Sequence, residues 1–215
     1  VDDSIEVTAD TVIISTGASA KWLGLPSEEK FKLGGGVSAC AVCDGFFYKG
    51  KKVAVVGGGD TAAEEASYLS NIFEKVYLIV RRGEMRASKI MQERVEAIKN
   101  VEILWNTETE DILGDDEVTG MRLKNNKSNE VTDYQISGFF VAIGHQPNTA
   151  VFEGQIDMDD QGYVETAPGT TKTNIGGVFA CGDVQDTIYR QAVTAAGTGC
   201  MAALDAERLL QGLEG

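Results

Sequence analysis

The stretch Lys51-Lys52-Val53-Ala54-Val55-Val56-Gly57-Gly58-Gly59-Asp60-Thr61-Ala62 restricts the fold more than any other part of this chain. An apolar run ends abruptly in three glycines, and an alanine-rich segment with helical spacing follows. Strand, glycine turn and helix in that order open a parallel βαβ unit. Ala62, Ala66, Leu69 and Phe73 are spaced for one buried face and predict a helix over 60–73. Residues 76–80, Val-Tyr-Leu-Ile-Val, supply the next strand. Gly57-x-Gly59-x-x-Ala62 is also a dinucleotide fingerprint. The first glycine makes the turn, the second lets a pyrophosphate approach the backbone, and Ala62 keeps helix and strand close. A bare match of this kind also occurs in plain structural turns; the flanking βαβ unit is what favours a dinucleotide.

The rest of the chain extends the same pattern. Residues 88–99 read as a second helix and 101–105 as a strand. From 110 to 134 the pattern is hairpin-like, with Asn125-Asn126-Lys127 at a turn. Residues 138–144 form a buried strand ending in glycine, 177–183 a strand ending in Gly-Asp, and 191–210 an alanine-rich helix. Residues 22–33, around Pro26, read as irregular, and Gly34-Gly35-Gly36 as a loop. Residues 5–8 and 11–15 read as a strand pair. The chain starts at Val1 already in this pattern, and the expectation is a fragment of something longer. Two strands end in similar turns, Ser15-Thr16-Gly17-Ala18 and Ala142-Ile143-Gly144-His145. They are either two ordinary buried strands or a paired linker carrying an inserted domain. The second reading divides the chain at 1–18, 19–142 and 143–215. The fold class expected is α/β, with Rossmann-like three-layer domains.

Composition narrows the partners. With 43% hydrophobic residues over 215 positions, the chain supports a real core. A net charge of −14 disfavours nucleic acid and anionic membranes. No apolar run approaches the ~20 residues of a membrane span, and no signal-like or lipidation segment is seen. A single histidine, His145, leaves little for a histidine-based zinc cage or a Ser-His hydrolase.

The chemistry concentrates at Cys40-Ala41-Val42-Cys43-Asp44-Gly45, thirteen residues before the fingerprint and placed to open a short helix. Three readings of the thiols stand side by side: half a zinc site, buried inert cysteines, and a redox dithiol. Cys181 and Cys200 are far apart and make no second CxxC. A redox pair fits best, one thiolate attacking an external disulfide and the other resolving the mixed disulfide. A lone CxxC in a chain of this length fits a reducing compartment, hence a cytoplasmic expectation. Asp44 is either a proton donor and acceptor for the departing thiolate or a helix-capping or surface residue. At the end of the second strand an NAD site would carry an acid; this chain has Arg81-Arg82-Gly83-Glu84-Met85-Arg86. Three guanidiniums there favour NADPH, the alternative being a solvated basic loop. NADPH gives a hydride, whereas a disulfide opens by addition of two electrons at sulfur. A flavin bridges the two, yet the chain has one dinucleotide fingerprint only.

With these residues in hand, the chain resembles the low-molecular-weight, flavin-dependent thioredoxin reductases along essentially all of its length. The resemblance rests on C-A-V-C-D-G at Cys40–Gly45, G-G-G-D-[ST]-A at Gly57–Ala62, R-R-x-x-x-R at Arg81, Arg82 and Arg86, and G-D-V-x-D-x-x-Y-R-Q-A from Gly182 to Ala192. It implies that Cys40 attacks thioredoxin, Cys43 lies against the flavin and Asp44 is the acid–base. Gly57, Gly59, Asp60, Thr61, Ala62 and the three arginines would hold NADPH. Asp183 would bind the FAD ribityl chain, and Arg190, Gln191 and Ala192 would line the isoalloxazine. The two glycine turns would be a hinge, and the intact protein a homodimer. Many bacterial members carry His where this chain has Val80. The family also opens with a second glycine fingerprint for FAD, which these 215 residues lack. The expectation is therefore an N-terminally truncated chain that binds FAD poorly. Two other functions stay open: a catalytically silent NADPH-binding fragment, and a reductase of another dithiol protein such as a peroxiredoxin partner. Those last relatives often lack the arginine cluster.

Overall fold

The computed structural model describes residues 6–32 and 34–212. In chain order the elements are β1 (Val12–Ile14), β2 (Ala18–Ala20), α1 (Pro26–Phe31), β3 (Val37–Ser38), α2 (Ala41–Asp44), β4 (Lys52–Val56), α3 (Asp60–Ser70), β5 (Lys75–Val80), α4 (Lys89–Glu96), β6 (Val101–Trp105), β7 (Thr107–Gly114), β8 (Val118–Asn125), β9 (Val131–Gln135), β10 (Gly138–Val141), β11 (His145–Pro147), β12 (Val178–Ala180) and α5 (Ala192–Leu210). They fall into two compact units. One is Ala20–Gly144; the other joins the residues up to Ser19 to those from His145 onward.

The first unit is a three-layer αββ arrangement. Its centre is a five-stranded parallel sheet of order β3-β10-β4-β5-β6. Strands buried on both faces must be apolar at every position, and Val53–Val56, Leu78–Val80 and Phe139–Val141 are so in the sequence and in burial. Period-2 alternation then assigns each residue to a layer. Val53, Val55, Val76, Leu78, Val80 and Phe140 face α3 and α4 through Ala62, Ala66, Leu69, Met91 and Val95. Ala54, Val56, Ile79, Phe139 and Val141 face Ile112, Val118, Met121 and Leu123. These last come from the antiparallel meander β7-β8-β9. The hairpin-like stretch of the sequence is thus a three-stranded sheet that covers one whole face. Its turn at Asn125–Lys127 is closed by the Asn125 side chain, which accepts from the Lys127 and Ser128 amides.

In the second unit β1 pairs in parallel with β12, Ile13 against Phe179. Phe179 and Cys181 pack on Ala202 and Ala206 of α5. Small residues let this helix lie close to the strand. Ala180 faces the other way, toward Ile14, Ile156, Val164 and Val184. The two chain crossings run side by side: the Asn148 amide side chain donates to Thr16 O at 2.9 Å, and the Thr16 hydroxyl returns a bond to Asn148 O at 2.8 Å.

Three expectations are corrected. Residues 26–31 form a helix where the sequence reads as irregular. Pro26 sits in its first turn, where a missing N–H costs nothing, and Glu28 caps it from within. In the strand pair expected at 5–8 and 11–15, Ile5 lies outside the described residues and 6–8 are not strand. β1 pairs instead with a strand more than 160 residues away. Helix α3 ends at Ser70, but Phe73 still buries in the same core.

Candidate functional site

The carboxyl ends of the parallel strands gather the chemistry of the first unit. β4 lies between β10 and β5, and the chain leaves it toward β5 and returns at β10. Such a switch point opens a crevice between the two loops. A cavity of about 560 Å³ lies there, bounded by Gly57–Gly59, Thr61, the arginine loop and Ala142–Gly144.

Gly57 has φ +153°, and a Cβ there would come within 2.3 Å of the Ala142 carbonyl oxygen and 2.7 Å of the Ala62 Cβ. Only glycine allows the β4 and β10 ends and the start of α3 to meet so closely. Gly59 has nothing within 4 Å of its Cβ position, so its backbone stands open to the cavity. It is the N-cap of α3 and supplies no side-chain cap, so the first amides of the helix are available to an anion. A pyrophosphate fits this cradle. Ala62 packs beneath Gly57 and does not line the cavity. Asp60 is also turned away from it. Its carboxylate accepts from the Ser88 amide at 2.9 Å and the Ser88 hydroxyl at 2.8 Å, which ties α3 to the start of α4. These bonds hold the Asp60 carboxyl below its usual range.

Arg81, Arg82 and Arg86 line the cavity with exposed side chains. Among the described residues, none of the three makes an ion pair. The Arg86 and Ala87 amides bind the Gly58 carbonyl at 2.6 and 3.2 Å, so the arginine loop is fastened to the glycine turn. Its other side is held by Asn106, whose amide binds Arg82 O at 3.0 Å, and by the Asn126 side chain on Arg81 O at 2.9 Å. Sequence reasoning missed both asparagines, and also Leu23, Leu25, Thr107 and Thr109 of the cavity wall. Asn106 stands at the β6–β7 turn with a left-handed φ of 54°.

Cys40 and Cys43 form a disulfide with a Cα–Cα distance of 5.3 Å. The buried Ser38 at the end of β3 receives the Cys40 amide on its hydroxyl at 3.0 Å and fixes the entry to α2. Cys40 is the N-cap of α2, and the Cys43 amide donates to its sulfur at 3.2 Å. A donor aimed at sulfur stabilises a thiolate there once the bond opens. Cys43 is exposed and Cys40 half-buried. Asp44 closes the short helix, and burial, then its charge and that of Glu117, raise the pKa of Tyr48. Val42, Phe46 and Phe47 stand 61–75% exposed around this pair. Of the other cysteines, Cys181 is buried and its thiol is pushed up by desolvation, which leaves it unreactive.

Asp183, Arg190, Gln191 and Ala192 belong to the second unit. Asp183 lies in the turn Gly182–Val184 after β12, with one carboxylate oxygen buried and without a partner among the described residues. An acceptor so placed fits a hydroxyl-bearing ligand. Gln191 caps α5 and Ala192 begins it. Arg190 has φ +48°, held by Asp186, whose carboxylate accepts from the Ile188, Tyr189 and Arg190 amides at 2.8–2.9 Å. Burial alone would raise the Asp186 carboxyl, but these bonds and the Thr194 hydroxyl leave it below its usual range. Asp186 was within a recognised motif, yet only the structure gives it this task.

Known proteins share the sequence and the fold of this chain. The sequence profile described as pyridine nucleotide-disulphide oxidoreductase matches residues 1–199. A thioredoxin reductase of Escherichia coli O157:H7 is 56% identical over 220 residues, covering 98% of this chain and 68% of that protein. One from Coxiella burnetii is 55% identical over 221 residues, with the same coverage. Among solved structures, the thioredoxin reductase from Giardia duodenalis superposes with a TM-score of 0.88 at 44% identity, over 94% of this chain and 66% of that one. That from Streptococcus pyogenes gives 0.89 at 39% identity, with the same coverage. The chain thus spans about two thirds of the length of these relatives. It belongs to the pyridine nucleotide-disulphide oxidoreductases and, within them, to the thioredoxin reductases.

Proposed function

We propose that the chain carries the NADPH cleft and the redox dithiol of an NADPH-dependent flavoprotein that reduces thioredoxin. The observation that carries this reading is the Cys40–Cys43 disulfide on the same parallel sheet as a cleft rimmed by three arginines that, among the described residues, make no ion pair. Gly57, Gly59, Thr61 and the α3 amides take the pyrophosphate, with Ala62 and Asp60 holding the turn in shape. Arg81, Arg82 and Arg86 take the 2′-phosphate by forked hydrogen bonds. FAD, when bound, supplies the conversion of a hydride into the electron pair that opens a disulfide. Asp183 is assigned to its ribityl chain, and Arg190, Gln191 and Ala192 to its ring.

In the reduced chain, the Cys40 thiolate attacks one sulfur of the thioredoxin disulfide. A mixed disulfide forms and one thioredoxin thiolate leaves, taking the proton that the Asp44 carboxylate accepted from the Cys40 thiol as that thiol became the attacking thiolate. The Cys43 thiolate then attacks Cys40, re-forming the Cys40–Cys43 bond and releasing thioredoxin with both its sulfurs reduced. Two electrons pass and none is left over. The exposed Val42, Phe46 and Phe47 supply the apolar contact that a protein substrate needs beside the sulfurs. We place the protein in the cytoplasm, where such a dithiol stays reducible, and as a homodimer.

The test is calorimetric titration of the chain with NADP⁺ and NAD⁺. NADP⁺ is expected to bind about a hundredfold more tightly. Replacing Arg81 and Arg82 with Ala is expected to bring the two affinities to within about threefold. Equal affinities in the unaltered chain would remove the assignment.

A further inference from the structure

The sheet order fixes which half of a dinucleotide lies where, given the NADPH reading on which this inference rests. The adenosine half lies over the strand that follows the fingerprint helix, here β5 with its arginines, and the pyrophosphate at the glycine turn. The nicotinamide half must then run across β4 to the β10 side. The residues that line the cavity include Ala142–Gly144, which follow β10, and Leu23 and Leu25. The segment bearing the two leucines is bonded to this strand end, since the Lys21 amide donates to Gly144 O at 2.9 Å.

What shapes that wall is one buried side chain. Glu28 is 1% exposed. One of its oxygens accepts from the Leu23 amide at 3.0 Å; the other accepts from the Gly24 amide at 2.7 Å and the Leu25 amide at 3.1 Å. Three successive amides converge on one carboxylate, an arrangement made possible by Gly24 at φ +81°. A helix cap needs one such bond. The other two hold the backbone between Leu23 and Leu25, both of which line the cavity, in a tight loop.

We propose that Glu28 is a positioning residue for NADPH: by folding the Leu23–Leu25 segment around its carboxylate, it builds the apolar wall that receives the nicotinamide half. The acid lies on α1, far in sequence from every nucleotide motif, and acts through backbone it does not share with them. Glu28→Gln keeps the shape but turns one acceptor oxygen into a donor facing N–H groups, so the wall loses its register.

The experiment is calorimetry on the full chain with two probes, NADP⁺ and 2′,5′-ADP, the second lacking the nicotinamide half. Glu28→Gln is expected to weaken NADP⁺ about tenfold and 2′,5′-ADP less than about twofold. A general loss of structure would weaken both in parallel, and that result overturns the proposal, as does no change in either. Leu23→Ala removes wall without touching the carboxylate and carries the same expectation; it serves if Glu28→Gln does not fold. If 2′,5′-ADP fails to bind the unaltered chain, the NADPH reading itself falls and the inference with it. If it binds normally and Glu28→Gln leaves NADP⁺ unchanged, only the inference falls.

Discussion

Gly57→Ala puts the account under the heaviest load. The new Cβ would stand 2.3 Å from the Ala142 carbonyl oxygen and 2.7 Å from the Ala62 Cβ, at a φ of +153°. The nearer obstacle is backbone, so no side chain can swing aside. Either β4 and β10 separate at their ends or the turn changes its dihedrals. Residues forced into such regions cost about 1–3 kcal/mol, and overpacking adds about 1–3, so a loss of about 2–6 kcal/mol is expected. That is a large part of the ~5–15 kcal/mol of a typical domain, and a domain in the upper half of that range stays mostly folded. The turn is the phosphate cradle, so the same movement withdraws amides from the ligand. At about 1.5–3 kcal/mol for a charged hydrogen bond, one or two lost bonds weaken NADP⁺ by about a hundredfold. Urea unfolding and calorimetry measure the two effects. Gly59→Ala is the control: its Cβ meets nothing within 4 Å in the free chain, so stability should hold while binding falls. Equal urea midpoints and equal NADP⁺ affinities for Gly57→Ala and the parent would refute the reasoning about this turn.

Other expectations rest on separate contacts. Cys43→Ser leaves Cys40 without its resolving partner; with oxidised thioredoxin it should accumulate a mixed disulfide, visible by mass spectrometry, while NADP⁺ affinity stays within about twofold. Failure to trap any adduct would take Cys40 out of the attacking role. The Asp60–Ser88 link predicts a pH effect. The folded carboxyl lies below its usual range, so its contribution is fully present above the ordinary carboxylate pKa and is lost as pH falls below it. Ser88→Ala should therefore narrow the stability difference between pH 6 and pH 3 relative to the parent, measured by urea unfolding. An unchanged difference would mean that the link carries no stability.

The elements legible in the sequence were those whose cause is local. β4, α3 and β5 announce themselves by an unbroken apolar run, a glycine turn and helical alanines. The Cys40–Cys43 bond spans one helical turn. What stayed hidden depends on chain segments far apart. The wall of the cleft comes from Leu23 and Leu25 before α1 and from Thr107 and Thr109 on the meander, none of which carries a motif. Helix α1 was hidden because its N-cap is Leu25, whose amide is satisfied by Glu28 from inside the helix. Asp60 looked like a ligand residue from its place in the fingerprint, whereas its partner is Ser88, 28 positions on. The same holds for β1, whose apolar residues could not reveal that their partner is β12.

Delivery of electrons from the Cys40–Cys43 pair to thioredoxin is open to a single-turnover measurement. The chain is reduced chemically, freed of reductant and mixed with oxidised thioredoxin, and the thiols of both proteins are counted over time. One thioredoxin disulfide is expected to open for each Cys40–Cys43 bond that re-forms, with Cys181 and Cys200 unchanged. A dithiol that stays reduced beside intact oxidised thioredoxin, or an exchange that runs through Cys200, would contradict it.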